Sequence, residues 1–233
     1  MGDVDKLRVA EIFGPTIQGE GPSTGQLCHF LRLSGCNLTC SWCDTPYTWD
    51  WRGINGTIYD EAEESRLVRI DDVADQLAAA RRIVVTGGEP LMQQRALVEL
   101  MGLLDVPVEI ETNGTITPND ALAGMSLRFN VSPKLTHSGV NVKKRLKPAA
   151  LHHLKALDSV FKFVCADDLD VAEVAAIAQA VAINPERVWV MPLGTTRIQT
   201  ATNLHRVAEA AIGHGFNVST RLHVDLWNDQ RGH

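Results

Sequence analysis

The chain has 233 residues, 45% of them hydrophobic and 21% charged, the composition of an ordinary globular enzyme. A formal net charge of -6 argues against a general nucleic-acid-binding surface, and no apolar run approaches a membrane span. Five cysteines, an odd number, with a polar Met1–Lys6 and no apolar export segment after it, argue against a disulfide framework. One cytoplasmic domain over residues 1–233 is expected.

Taken in chain order, β-branched runs alternate with amphipathic stretches. Strands are predicted at 8–12 and 27–33. Residues 48–69 break the pattern: Trp- and Gly-rich, then acidic at 60–64, they read as an inserted loop with a solvated face. A helix follows over 71–81, with Asp71 as its cap and Val73, Leu77 and Ala80 on one face. A strand at 83–86 leads through a Gly-Gly turn into a helix carrying Leu91, Leu97, Leu100 and Leu104. Strands at 108–112 and 127–131 come next. The basic run Lys143-Lys144-Arg145-Leu146-Lys147 reads as a solvated face rather than a nucleic-acid site. Then follow a strand at 159–164, a helix over 170–181, a strand at 188–191, a helix over 202–212 stopped by Gly213 and Gly215, and a strand at 216–220. The alternation predicts an α/β fold with a parallel sheet and right-handed crossovers, an incomplete (β/α)6-type TIM barrel with its ligands at the C-terminal strand ends.

Cys36, Cys40 and Cys43 stand in a C-x3-C-x2-C run directly after an apolar strand. Structural zinc wants four closed ligands and an ordinary cubane wants four cysteines. Three thiolates suit a [4Fe–4S] cluster with one iron open to a non-protein ligand. A zinc knuckle completed by His29 or His137 is the alternative. Cys28 and Cys165 lie in apolar runs and read as small core residues. Val85-Thr86-Gly87-Gly88-Glu89-Pro90 ends a strand, where paired glycines let backbone approach a ligand and Glu89 is placed to accept from an ammonium group.

The cysteine loop and the Gly-Gly-Glu-Pro turn together resemble the radical S-adenosylmethionine (SAM) superfamily. Further runs narrow the likeness: Phe13 to Gly21 (FGPTIQGEG), Arg32, Asp44-Thr45, Glu111 to Thr115, Asn130 to Lys134, and Arg221 to Trp227. In order, over residues 8 to 227, they resemble the 7-carboxy-7-deazaguanine synthase family. The resemblance implies a lyase that converts 6-carboxy-5,6,7,8-tetrahydropterin to 7-carboxy-7-deazaguanine with release of ammonia, for queuosine or another 7-deazapurine. It implies a [4Fe–4S] cluster on Cys36, Cys40 and Cys43, with SAM on the open iron. SAM contacts are implied for Gly88, Glu89, Ser132, Pro133 and Lys134, and substrate contacts for Ile17, Gln18, Gly19, Arg32 and Thr86. Thr45 would bind Mg2+, although its position before Pro46 also suits a helix cap. Met191 to Gly194 and Asn113 are further candidates. A flavodoxin- or ferredoxin-type electron donor and a homodimer are implied as partners. His223 and Trp227 receive no role. A glycyl-radical activating enzyme and a non-catalytic metal-binding module remain the competing readings.

Overall fold

The computed structural model describes residues 5–228 and 230–233. Nine strands among them form one sheet in the order β3-β1-β2-β4-β5-β6-β7-β8-β9. In chain order the elements are β1 (Lys6–Ile17), β2 (Leu27–Leu33), α1 (Glu61–Glu64), β3 (Arg66–Arg69), α2 (Ile70–Leu77), β4 (Ile83–Gly87), α3 (Gln94–Leu103), β5 (Val108–Thr112) and α4 (Asp120–Ala123). There follow β6 (Leu127–Val131), α5 (Val142–Arg145), α6 (Pro148–Ala156), β7 (Val160–Cys165), α7 (Asp168–Val181), β8 (Val188–Pro192), α8 (Arg197–Gly213), β9 (Asn217–Val218) and α9 (Leu222–Trp227). From β2 through β9 every neighbour in the sheet is parallel. Six of these are full strands, and β9 is a two-residue stub. The predicted partial α/β barrel is thus the observed fold, with an antiparallel edge of β1 and β3 added.

Strand parity organises the interior. Successive side chains point to opposite faces. Leu31 and Leu33, Val85, Ile110, Phe129 and Val131, and Phe161 and Phe163 all enter one core beneath the helices. Each such fully buried side chain contributes about 1.5–3 kcal/mol. The residues between them turn into the barrel: Arg32, Thr86, Glu111 and Lys162 line its cavity. Lys162 is only 3% exposed, so the strand that packs two phenylalanines outward carries a buried ammonium inward.

Several expected boundaries move. Helix α2 begins at Ile70, with Arg69 at the cap position, and ends at Leu77; Asp71 is in its first turn, where a negative charge suits the helix dipole. Helix α7 is capped by Asp167, which accepts from Asp170 N–H, and α8 by Thr196, which accepts from Gln199 N–H, so both start earlier than hydrophobic periodicity suggested. The 48–69 segment is not a plain loop. Buried Asp50 accepts from Ile54 and Asn55 N–H, each at 2.8 Å, and β3 pairs along β1. The basic run is not wholly solvated either: Arg145 is buried, donating to the Lys134 carbonyl at 2.7 Å and pairing with Glu173 at 2.9 Å. Among the described residues no helix is long and apolar enough to cross a membrane.

Candidate active site

The cysteine loop leaves β2 through two backbone anchors. Ser34 N–H donates to the Arg8 carbonyl at 3.0 Å, and Gly35 N–H to the Thr48 carbonyl at 2.8 Å. Gly35 takes a φ of 95°, left-handed backbone that glycine adopts freely. Leu38, Cys40 and Val140 pack together with Cys36 and Cys43 against them, which keeps the loop dry. All three thiols are free and open onto one cavity of about 830 Å3. Burial pushes the Cys36 thiol up to about 12 and raises Cys40 and Cys43. Such thiols keep their protons unless a metal takes the protons' place.

The donor set fits an iron–sulfur cluster. Leu38 N–H and Trp49 Nε1–H point at Cys36 Sγ and Cys43 Sγ, each at 3.4 Å, the kind of N–H···S contact that tunes a cluster. Trp42 shields the loop, its ring 5.4 Å from Lys134 Nζ and 5.3 Å from the His137 ring. Neither histidine of the zinc alternative lines the cavity onto which the three thiols open. His137 Nδ1 lies 2.8 Å from Asp170, and His29 sits at the beginning of the strand pairing with Ile83, far down the barrel. Among the described residues no three His, Cys, Asp or Glu side chains converge on one ion.

Of the other expected residues, Ile17, Gln18, Gly19, Arg32, Thr45, Thr86, Gly88, Ser132 and Lys134 line the same cavity. Gly88 passes against the cysteine loop: its N–H donates to the Leu33 carbonyl at 3.1 Å, and the next N–H, of Glu89, donates to the Gly35 carbonyl at 2.8 Å. Ser132 Oγ accepts from Lys134 Nζ at 3.0 Å. Thr45 Oγ1 is 3.8 Å from Cys43 Sγ and makes no capping bond to the short 3-10 turn after it. Met191, Leu193 and Gly194 complete the wall from β8.

Two of the residues expected along SAM sit back from the cavity. Glu89 does not present its carboxylate to the cavity. It is fully buried and accepts from Leu91 N–H at 3.0 Å, Thr112 Oγ1 at 2.8 Å and Asn113 N–H at 2.7 Å, tying the turn after β4 to the end of β5. Burial raises its carboxyl's pKa despite those donors. Pro133 is buried behind the wall and does not line the cavity. Asn113 is in the wall, yet its side chain is committed to the turn, accepting from Thr115 N–H at 3.0 Å and donating to Asn37 at 2.9 Å.

An ionic chain across the cavity was not anticipated. Thr86 Oγ1 donates to Glu111 at 3.0 Å, and Gln18 Nε2 donates to the other Glu111 oxygen at 3.2 Å. Lys162 Nζ bridges Glu111 at 2.8 Å and Glu20 at 2.7 Å. Arg221 then joins Glu20 at 2.8 Å to Asp44 and donates to the Gly194 carbonyl at 2.5 Å. Burial would raise Glu20, but Lys162, Arg221 and His223 outweigh it and hold the carboxyl well below its usual range. Burial opposes ionisation of Asp44 too, and Arg221 wins. His223, 4.0 Å from Glu20, has its pKa lowered by burial. Glu111 and Lys162 were legible in principle: each alternates with core residues, in Glu109-Ile110-Glu111 and Phe161-Lys162-Phe163. Alternation along a strand sends both to the face opposite that core.

An open α/β barrel with three free thiols at its strand ends defines a class, and the sequence profile of the radical SAM superfamily matches residues 31–147. The 7-carboxy-7-deazaguanine synthase of Pyrobaculum aerophilum is 35% identical over 235 aligned residues, covering 100% of each chain. That of Hyperthermus butylicus is 36% identical over 229, covering 94% of this chain and 92% of its own. The crystal structure of QueE from Escherichia coli superposes with a TM-score of 0.68 at 24% identity, covering 94% and 95% of the two chains, a likeness of fold. The chain belongs to the 7-carboxy-7-deazaguanine synthase family of the radical SAM superfamily, whose enzymes use a [4Fe–4S] cluster and SAM.

Proposed function

We propose that this chain converts 6-carboxy-5,6,7,8-tetrahydropterin to 7-carboxy-7-deazaguanine with loss of ammonia, in 7-deazapurine biosynthesis. The observation that carries the reading is that Arg32, near the end of β2, and three free thiols on the loop after it open onto one cavity. When bound, the cluster and SAM supply the radical that takes hydrogen from the substrate.

The chain's own residues bind and orient. Cys36, Cys40 and Cys43 hold the cluster. Gly88 brings bare backbone to SAM, with Ser132 and Lys134 along it, while Glu89 and Pro133 support that wall from behind. Arg32 offers its planar fork to the substrate carboxylate. Ile17 and Gly19 offer backbone to the pterin edge, with the Gln18 amide and Thr86 hydroxyl locked onto Glu111 behind it. Thr45 supplies a hard oxygen for Mg2+, which keeps most of its waters. The reading takes residues 1–233 as one domain, reduced by a flavodoxin- or ferredoxin-type donor and paired as a homodimer.

The test is anaerobic reconstitution followed by dithionite, SAM and carboxytetrahydropterin. Formation of the deazaguanine acid is expected. Competent SAM cleavage with no such product would overturn the reading. A reduced cluster whose spin-resonance signal ignores added SAM would point instead to a non-catalytic metal module.

A further inference from the structure

The carboxylate of Glu11, on β1, is divided between two arginines from opposite ends of the chain. Its Oε2 accepts from Arg32 Nε at 3.1 Å and from the Tyr47 hydroxyl at 3.1 Å. Its Oε1 accepts from Arg231 Nε at 2.6 Å. Arg231 then places its terminal nitrogens on both oxygens of Glu64, at 3.2 and 2.8 Å, and its guanidinium lies 3.8 Å from the centre of the Tyr47 ring. Glu64 belongs to α1, inside the 48–69 segment. Asn228 and residues 230–233 run along the cavity wall, so Arg231 straps the C-terminal segment onto β1 and the insertion.

We infer that Glu11 is a positioning residue for Arg32, and that the Arg231–Glu64 strap controls it; this rests on the reading of Arg32 as the substrate-carboxylate ligand. Arg32 is held by its Nε and by the Phe13 ring, 5.6 Å away. Among the described residues its two terminal nitrogens make no hydrogen bond, which leaves the fork for an incoming carboxylate. A carboxylate facing an arginine prefers two parallel bonds over one. Without Arg231, Glu11 is free to turn both oxygens onto Arg32 and fill that fork. With Oε1 taken by Arg231, only one oxygen remains for Arg32, and the substrate meets no internal competitor. Closing the strap and clearing the fork are then one event. Each ion pair is partly exposed, with Arg231 at 47% and Glu64 at 19% side-chain exposure. Such pairs are individually weak, as a strap that opens for substrate and product requires.

The test uses the reconstituted holoenzyme. Arg231→Ala and Glu64→Ala are expected to raise hydrogen exchange in the C-terminal peptide and to raise KM for carboxytetrahydropterin roughly three- to fivefold, with iron content unchanged. Glu11→Gln keeps the shape but loses the charge, and is expected to raise KM about tenfold or more while kcat changes less. The conservative Arg231→Lys, which keeps a cation between Glu11 and Glu64, is expected to restore slow exchange in part. Wild-type exchange in Arg231→Ala overturns the strap. An unchanged KM in Glu11→Gln, while Arg32→Ala raises it, overturns the positioning role and leaves the Arg32 reading standing. An unchanged KM in Arg32→Ala removes that reading and the inference together.

Discussion

Gly88 and Gly35 meet back to back. A β-carbon on Gly88 would overlap the Gly35 carbonyl oxygen and stand 3.0 Å from the Cys36 β-carbon. Both neighbours belong to the cysteine loop, and backbone cannot yield as a flexible side chain can. Gly88→Ala should therefore push the loop off β4, at a cost of roughly 1–3 kcal/mol. Iron bound per chain after reconstitution should fall with it. Gly102 in α3 meets nothing within 4 Å, so Gly102→Ala should stabilise by about 0.5–1 kcal/mol. Equal behaviour of the two variants in urea denaturation would refute the steric account.

Arg221 is the hinge of the ionic chain, buried between Glu20 and Asp44. Arg221→Ala leaves both carboxylates without their shared partner and should cost roughly 3–5 kcal/mol. A loss below about 1 kcal/mol, read from the denaturation midpoint, would mean that water replaces the guanidinium at no great penalty.

The same chain sets an acid limit. Glu20, Asp44 and Asp170 all have carboxyls held below their ordinary range, by cationic partners or hydrogen bonds that outweigh burial. Their stabilisation is complete above the ordinary carboxylate range and is lost as pH falls through the lowered native values. His223, lowered by burial, acts in the same direction, favouring the native state only while the imidazole stays neutral. Lys162 is raised, so its contribution is present below the ordinary lysine range and lost only in strong alkali. The thermal midpoint should be level near neutrality and fall steeply below pH of about 4. In Arg221→Ala the acid limb should be shallower. A wild-type midpoint unchanged down to pH 3 would contradict the chain's role.

The Glu89 carboxylate receives three donors and gives none. Glu89→Gln turns an NH2 group towards at least one of them, and should cost about 1–3 kcal/mol for the unsatisfied pair. SAM affinity per folded molecule should change little, because the carboxylate does not reach the cavity. A large loss of SAM binding at full stability would restore the direct cofactor contact.

On the proposed assignment of Thr45 to Mg2+, Thr45→Ala should keep the cluster spectrum and abolish any activation by Mg2+. Among the described residues the hydroxyl beside Cys43 bonds to nothing but the sulfur, so stability should move by less than about 0.5 kcal/mol. Undiminished Mg2+ activation would remove the assignment.

The sequence by itself determined the βα alternation, the cysteine spacing and the glycines at the strand ends. Each is a local matter, fixed by periodicity, ligand count or backbone freedom within a few residues. It also determined strand parity, which sends Arg32 and Lys162 to the face opposite the phenylalanine and leucine core. Tertiary structure alone decided which inward charges meet. Glu20, Asp44, Glu111, Lys162 and Arg221 come from five separate stretches, and only the curl of the sheet brings their charges within ion-pair distance. The same closure made Glu89 a buried brace, because its own turn and the end of β5 both place donors on its oxygens. It also brought Arg231 from the end of the chain to Glu11 and Glu64, a meeting that no local pattern encodes.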